Sequence, residues 1–186
     1  PHHDLVIIGS GSGNTVLTPE LDDLDVAIVE GGTFGGTCMN VGCIPSKALL
    51  QSSEHFEHAG HHFADHGIGL KELSIDVAKM LGRKNTVVKQ NNDGILYLFK
   101  KNKVTFFHGR GSFVKAEGGA YEIAVAGDKP ASVSAKHVIV ATGSNARALP
   151  GAPFDELDIL SNDGALRIPA VPKTLGVIGS GVIGLE

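Results

Sequence analysis

The feature that most constrains this chain is an apolar run that ends in clustered glycines. "DLVIIG" (4–9) leads directly into "GSGSGN", and a second apolar run, "DVAIVE", ends at Glu30, 21 residues after Gly9. Near-continuous apolar runs of this length suit parallel strands covered on both faces. In a dinucleotide-binding βαβ unit, glycines at the first turn let the backbone approach a pyrophosphate. An acid closing the second strand accepts the ribose hydroxyls. Gly9, Gly11, Gly13 and Glu30 occupy those places. A glycine turn in another kind of α/β domain is the competing reading. The crossover is irregular: Asn14 stands where the third glycine of G-x-G-x-x-G belongs, and Pro19 follows closely. We expect a short or broken helix there, with Thr18 capping a restarted turn that begins at Pro19.

Composition narrows the class. At 186 residues, 42% hydrophobic and 19% charged, the chain has an ordinary globular make-up, long enough for one domain and part of a second. A net charge of -4 and the lack of a basic tract argue against a nucleic-acid partner. No apolar run approaches the roughly 20 residues that a membrane span needs. No signal peptide is visible ahead of the first strand-like run. Pro1 without a Met, followed by His2 and His3, reads as a processed start or a tag remnant.

Both cysteines, Cys38 and Cys43, fall in "GGTCMNVGCIPSK" (35–47). A structural bridge across so short a loop would add only about 2 kcal/mol by chain entropy. An inert bridge is one reading of the pair. A redox pair suits the setting better, because Cys43 leads into helix-forming "IPSKALL". The positive end of the helix dipole and Lys47 one turn on both favour the thiolate. Gly35, Gly36 and Gly42 leave room for a flat group to approach the backbone. A dithiol centre that must cycle suits a reducing compartment, so a cytoplasmic location is expected.

"GGTCMNVGCIPSK" resembles the redox-active segment of the pyridine-nucleotide disulfide oxidoreductases, and the resemblance extends along essentially the whole chain. "ATGSNARALPG" (141–151) is similar to the strand and turn closing the first part of that family's flavin domain. "GVIGSGVIGLE" (176–186) is similar to the start of its second dinucleotide domain, with Gly179, Gly181, Gly184 and Glu186 matching the fingerprint. Residues 46–186 look most like the family's dihydrolipoamide dehydrogenase branch, through "SKALLQSSE", "DVAKMLGRK" and "LFKKNKV". The first 37 residues are more like its mycothione reductase branch, with "GSGSGN", a shortened crossover and "EGGTFGGTC".

The resemblance implies FAD, with its pyrophosphate over Gly9–Gly13 and its adenosine ribose on Glu30. It implies Cys43 as the thiol beside the flavin and Cys38 as the interchange thiol facing substrate. Lys47 would lie near the flavin N5 region. Gly36, Thr37, Thr142, Gly143 and Ser144 would contact FAD, and Gly111 in "HGRGSF" would approach the adenine. Electrons would pass from dihydrolipoamide through the disulfide to FAD and on to NAD. Gly184 in the third glycine position favours NAD. The alternatives are an NADPH-dependent reductase of the mycothione, glutathione or mercuric type, and a catalytically incomplete FAD-domain module. Implied partners are a small-molecule or lipoyl-group dithiol, a second subunit in a full-length homodimer, and 2-oxoacid dehydrogenase complexes. The residues selecting NAD over NADP, and the family's His–Glu acid–base pair, would follow Glu186. The 186 residues alone are therefore expected not to complete turnover.

The expected fold is α/β: a Rossmann-like FAD-binding domain, with a parallel sheet and a small β-meander, over 1–150. A linker over 151–172 and the start of an NAD(P)-binding domain over 173–186 follow, with "KTLGVIG" as that domain's first strand. Helices are expected over 46–62 and 75–101. In the second, Val77, Met80, Leu81, Val87 and Val88 recur at helical spacing, and "QNNDG" (90–94) kinks or interrupts it. The meander is read as "KVTFFHG", "GSFVKA", "YEIAVA" and "SAKHVIVATG". His58, His62 and His66 fall at i, i+4 and i+8, with His55 and His61 nearby. No carboxylate or cysteine completes a ligand set, so they read as a solvated face and no metal is expected. His108 and His137 read as ordinary strand residues.

Overall fold

Six strands form one sheet in the computed structural model, which describes residues 1–186. They are β1 (His2–Ile8), β2 (Val26–Glu30), β3 (Thr105–His108), β4 (Arg110–Glu117), β5 (Ala120–Ala126) and β6 (Ala131–Val140), in the order β3-β2-β1-β6-β5-β4. β3, β2, β1 and β6 run parallel, whereas β4, β5 and β6 pair antiparallel. β6 belongs to both arrangements: Ser134 and Ala135 pair with His2 and His3 on one side and with Glu122 and Tyr121 on the other. The four-strand meander expected from sequence is corrected here. "KVTFFHG" leaves it to become the parallel edge beside β2, because the helix ahead of it serves as the crossover that a parallel strand requires.

Strand alternation splits the apolar residues of β1 and β2 between two faces. Leu5, Ile7, Val26 and Ile28 pack with Leu17, Leu24, Phe99 and Val104. Val6, Ile8, Ala27 and Val29 pack with Ile123, Val125, Val133 and Ala135. The sheet's own meander thus curls back to cover the second face. Ile7, Ile28, Ile123 and Val133 are fully buried, each contributing about 1.5–3 kcal/mol.

The β1–β2 crossover is the broken one expected: two single 3-10 turns, Ser12–Val16 and Pro19–Leu21. Pro19 opens the second, and Thr18 stands at the cap position without a side-chain capping bond. Helix α1 spans Gly36–Val41, α2 Cys43–His61 and α3 Val77–Lys101. α2 begins at Cys43, earlier than expected, with Pro45 buried in its first turn. α3 continues through "QNNDG" without interruption. Gly94 costs it only about 1 kcal/mol relative to alanine, and its half-buried stripe persists as Asn92, Ile95 and Phe99 at i, i+3 and i+7. The histidine stripe does not persist. α2 stops at His61, and His66 lies in a separate turn, Phe63–His66.

The chain divides into two units, residues 1–40 with 90–145, which hold the sheet, and residues 41–89 with 146–186. In the second unit Lys84, buried on α3, donates to the Leu166 carbonyl at 2.7 Å. Burial and the neighbouring Arg167 push its ammonium down from the ordinary lysine value. Two short helices, α4 (Asn162–Ala165) and α5 (Val182–Leu185), follow. The expected strand at "KTLGVIG" does not form. A strand needs an edge to pair with, and all six strands of this chain lie in the other unit. No helix is long and apolar enough to cross a membrane.

Candidate redox and dinucleotide site

Three loops of the first unit converge at the carboxyl ends of β1 and β6. Gly9 has φ +112°, and a Cβ on it would overlap the Ala141 carbonyl oxygen. A Cβ on Gly13 would overlap that of Ala141, and one on Gly36 would lie 2.5 Å from the Gly11 Cα. Gly143, at φ +81°, places Thr37 Oγ1 3.5 Å from the point where its own Cβ would sit. The structure therefore brings Gly9, Gly11, Gly13, Gly36, Thr37 and Gly143 together, with exposed Thr142 and Ser144 beside Gly143. Ligands of open α/β sheets bind in this position, outside the strand carboxyl ends. Backbone packed this closely, with no side chains in the way, fits the approach of a pyrophosphate. Gly111 lies elsewhere in the same unit, where β4 crosses β1 and β2. A Cβ there would sit 3.2 Å from Val29 Cγ1 and 3.3 Å from Ile8 Cγ2.

Glu30 is already engaged by the protein. Its Oε2 accepts from the Ser10 backbone N–H at 2.8 Å and from the Ser10 hydroxyl at 2.6 Å. Its Oε1 accepts from the Gly32 N–H at 2.7 Å. A carboxylate has about four acceptor positions, so capacity remains for a ribose hydroxyl. Ser10 is a site residue that sequence reasoning missed. It is buried, and its Oγ also accepts from the Gly35 N–H at 2.9 Å, linking the glycine turn to the cysteine segment. Its only sequence signal was a hydroxyl between two glycines.

Cys38 and Cys43 form a disulfide. Cys38, in α1, is half-buried, and Cys43, opening α2, is exposed. Several amide and hydroxyl groups hold the backbone of this segment. The Asn40 side-chain amide donates to the Phe34 carbonyl at 2.8 Å and to the Gly36 carbonyl at 2.9 Å. Phe34 in turn meets Phe99 and Phe106 edge-on, with ring centroids 5.6 and 5.5 Å away. In the second unit, Ser46 Oγ donates to the Gly42 carbonyl at 2.9 Å and Asn162 Nδ2 donates to the Val41 carbonyl at 2.7 Å.

Lys47 and Glu186, which the sequence assigned to two different cofactors, form an ion pair with each other. Ser46 Oγ also donates to Glu186, at 3.3 Å. The Lys47 hydrogen bond holds the Glu186 carboxyl below the usual carboxylate range. The second glycine turn is formed: Gly179 has φ +110°, Gly181 caps α5, and a Cβ on Gly184 would lie 2.6 Å from the Gly179 carbonyl oxygen.

Comparison with known proteins agrees with this geometry. The sequence profile of the family described as pyridine nucleotide-disulphide oxidoreductase matches residues 3–186. A dihydrolipoyl dehydrogenase of Cupriavidus necator is 50% identical, over 98% of this chain and 40% of the relative. Dihydrolipoyl dehydrogenase 1, mitochondrial, of Arabidopsis thaliana is 46% identical, over 99% of this chain and 36% of the relative. The chain thus spans about two fifths of the length of these curated relatives. Among solved structures, the Cu(II) complex of a mutant of the HOCl-induced flavoprotein disulfide reductase RclA from Escherichia coli shares the fold. Its TM-score is 0.78 at 22% identity, over 99% of this chain and 38% of that one. The glycine turns, the disulfide between two helices and the matched profile carry one conclusion: the chain belongs to the pyridine nucleotide-disulphide oxidoreductase family.

Proposed function

We infer that this chain is the flavin-binding, disulfide-bearing part of a dihydrolipoyl dehydrogenase. The observation that carries the reading is the Cys38–Cys43 disulfide, whose first cysteine follows two residues after Gly36 in the convergent glycine loops. The identity to dihydrolipoyl dehydrogenases supports the substrate class. The proposed domain division is 1–150 for FAD and the disulfide, 151–172 as linker and 173–186 as the start of the NAD-binding part.

FAD, when bound, supplies a two-electron acceptor next to the dithiol. Gly9, Gly11 and Gly13 would take its pyrophosphate, and Glu30 would use its remaining acceptor capacity on the ribose. Gly36, Thr37, Thr142, Gly143 and Ser144 would contact the same group, a reading supported by the approach of Gly36 to Gly11 and of Gly143 to Thr37. Lys47 is the cation nearest in sequence to the disulfide, and its pairing with Glu186 fixes where that charge sits. The disulfide itself accepts electrons by thiol exchange. One substrate thiolate attacks the Cys38 sulfur, the Cys38–Cys43 bond breaks, and Cys43 leaves as a thiolate. The second substrate thiolate then attacks the mixed disulfide, releasing oxidised substrate and leaving two reduced cysteines. NAD would take the electrons onward at the Gly179–Gly184 turn. A homodimer, association with lipoyl-bearing dehydrogenase complexes and a cytoplasmic location belong to the same reading.

The test is a visible absorption spectrum of the chain with added FAD, before and after anaerobic dihydrolipoamide. The reading expects a bound-flavin spectrum that gains a long-wavelength band when the dithiol is added, and loss of that band in Cys43→Ser. Retained flavin with no response to dithiol would overturn it. A second reading, an NADPH-dependent reductase of a small disulfide, is kept because the first 37 residues resemble the mycothione reductase branch, and the crossover of two 3-10 turns agrees with the shortened crossover of that resemblance. Substrate preference of a full-length version separates the two.

A further inference from the structure

Asn92 lies in the middle of α3, on the half-buried stripe it shares with Ile95 and Phe99. A polar side chain at that place needs a reason. The Asn40 amide nitrogen is committed to the Phe34 and Gly36 carbonyls, so its Oδ1 must accept. The donor it finds is Asn92 Nδ2, at 2.8 Å. That fixes the orientation of Asn92 and leaves its own Oδ1 buried without a partner, against Gly35, where an added Cβ would overlap it. A buried acceptor left unmatched is a cost that folded proteins rarely carry without return. The return here is location: the pair closes the far end of α1, and Ser10 holds its near end through the Gly35 N–H.

We propose that Asn92 is a positioning residue for the redox disulfide, acting through Asn40 to hold α1 and hence Cys38 where its sulfur meets that of Cys43. The proposal rests on the reading that the disulfide cycles. With the clamp in place, a reduced pair stays close and re-forms the bond readily. Without it, the segment between Gly35 and Gly42 samples arrangements in which the sulfurs are apart, and the effective concentration of one thiol at the other falls.

The experiment equilibrates the chain in reduced and oxidised dithiothreitol and counts thiols by alkylation. Asn92→Ala and the near-isosteric, apolar Asn92→Leu are compared with Asn40→Ala and with Asn40→Ala/Asn92→Ala. The equilibrium constant for forming the disulfide should fall about tenfold in each single variant, a shift of ~30 mV for a two-electron couple. The double variant should fall no further than Asn40→Ala alone, because Asn92 acts only through its bond to Asn40. Ile123→Val, a core change away from this segment, should lower urea stability and leave the midpoint unmoved. Asn92 variants that cycle within twofold of the parent, or effects that add in the double variant, would overturn the assignment. A parent disulfide that reduces only on unfolding would overturn the redox reading and this proposal with it.

Discussion

Two stretches of this chain carry nearly the same words. "VIIGSGSG" and "GVIGSGVIG" both run an apolar segment into G-x-G. Their first glycines adopt the same left-handed φ, +112° at Gly9 and +110° at Gly179. Everything before the turn differs. Ile8 is 7% exposed within a paired strand, whereas Ile178 is 81% exposed in a segment with no strand. A Cβ on Gly9 would run into Ala141, but one on Gly179 would meet nothing within 4 Å. The comparison separates two kinds of information. A glycine turn is a local instruction, satisfied by a few dihedral angles. A strand is a request for a neighbour, met only when the chain supplies one.

Core truncation should break the resemblance most sharply. Ile7→Ala, at a fully buried position, should cost roughly 2–5 kcal/mol. Ile178→Ala should fall within about 0.5 kcal/mol of the parent. Urea midpoints of the two variants check this, and equal losses would mean the second segment is packed after all. Next come the turn glycines. Gly179→Ala should cost roughly 1–3 kcal/mol, the strain of a backbone conformation that favours glycine. Gly9→Ala carries that strain plus a backbone clash worth a further 1–3 kcal/mol or so. Thermal melts of the pair should therefore be unequal, with Gly9→Ala the lower.

The acids that accompany the two turns sharpen the contrast at smaller amplitude. Glu30→Ala strands the Ser10 hydroxyl and N–H and should cost about 1.5–3 kcal/mol, since hydrogen bonds to a charged group are lost. It should also loosen Gly35 through Ser10, which hydrogen exchange at the Gly35 amide would report. The smallest effect belongs to Glu186. Its carboxyl is held below its ordinary value near 4.5 by Lys47, so the unfolded chain takes up the proton first as pH falls. The stability this pair adds is complete above that ordinary value and is lost as pH drops through the lower, folded one. Both groups face water, so the change is slight. Lys47→Met should remove it, and acid titrations of parent and variant that superimpose below pH 4.5 would sink the account.

Much of this was legible in the sequence, for reasons that differ residue by residue. The strands at "DLVIIG" and "DVAIVE" show as uninterrupted apolar runs because both of their faces are covered. The broken crossover follows from Pro19. α3 shows in the spacing of Val77, Met80, Leu81, Val87 and Val88, while "QNNDG" (90–94), a stretch of polar residues ending in glycine, carries the pattern of a break that the helix does not make. Asn92 instead faces inward, to a partner 52 positions away. "KVTFFHG" reads as a meander strand but lies at the parallel edge, since an edge of a parallel sheet and a strand of a meander share one alternating pattern. Ser10 stayed hidden because its meaning lies in Glu30 and Gly35.

The sequence by itself determined the local pieces: both glycine turns, the cysteine spacing, the helix that follows the second cysteine and the apolar strands. These depend on dihedral freedom and short-range periodicity, which a few neighbouring residues encode. Only the tertiary structure decided which strands pair, that the meander curls back over β1 and β2, and that Lys47 meets Glu186 instead of standing alone. It also decided that one asparagine deep in a helix holds another beside the disulfide. Those outcomes depend on groups far apart in the chain arriving at one place, and no window along the sequence contains both partners.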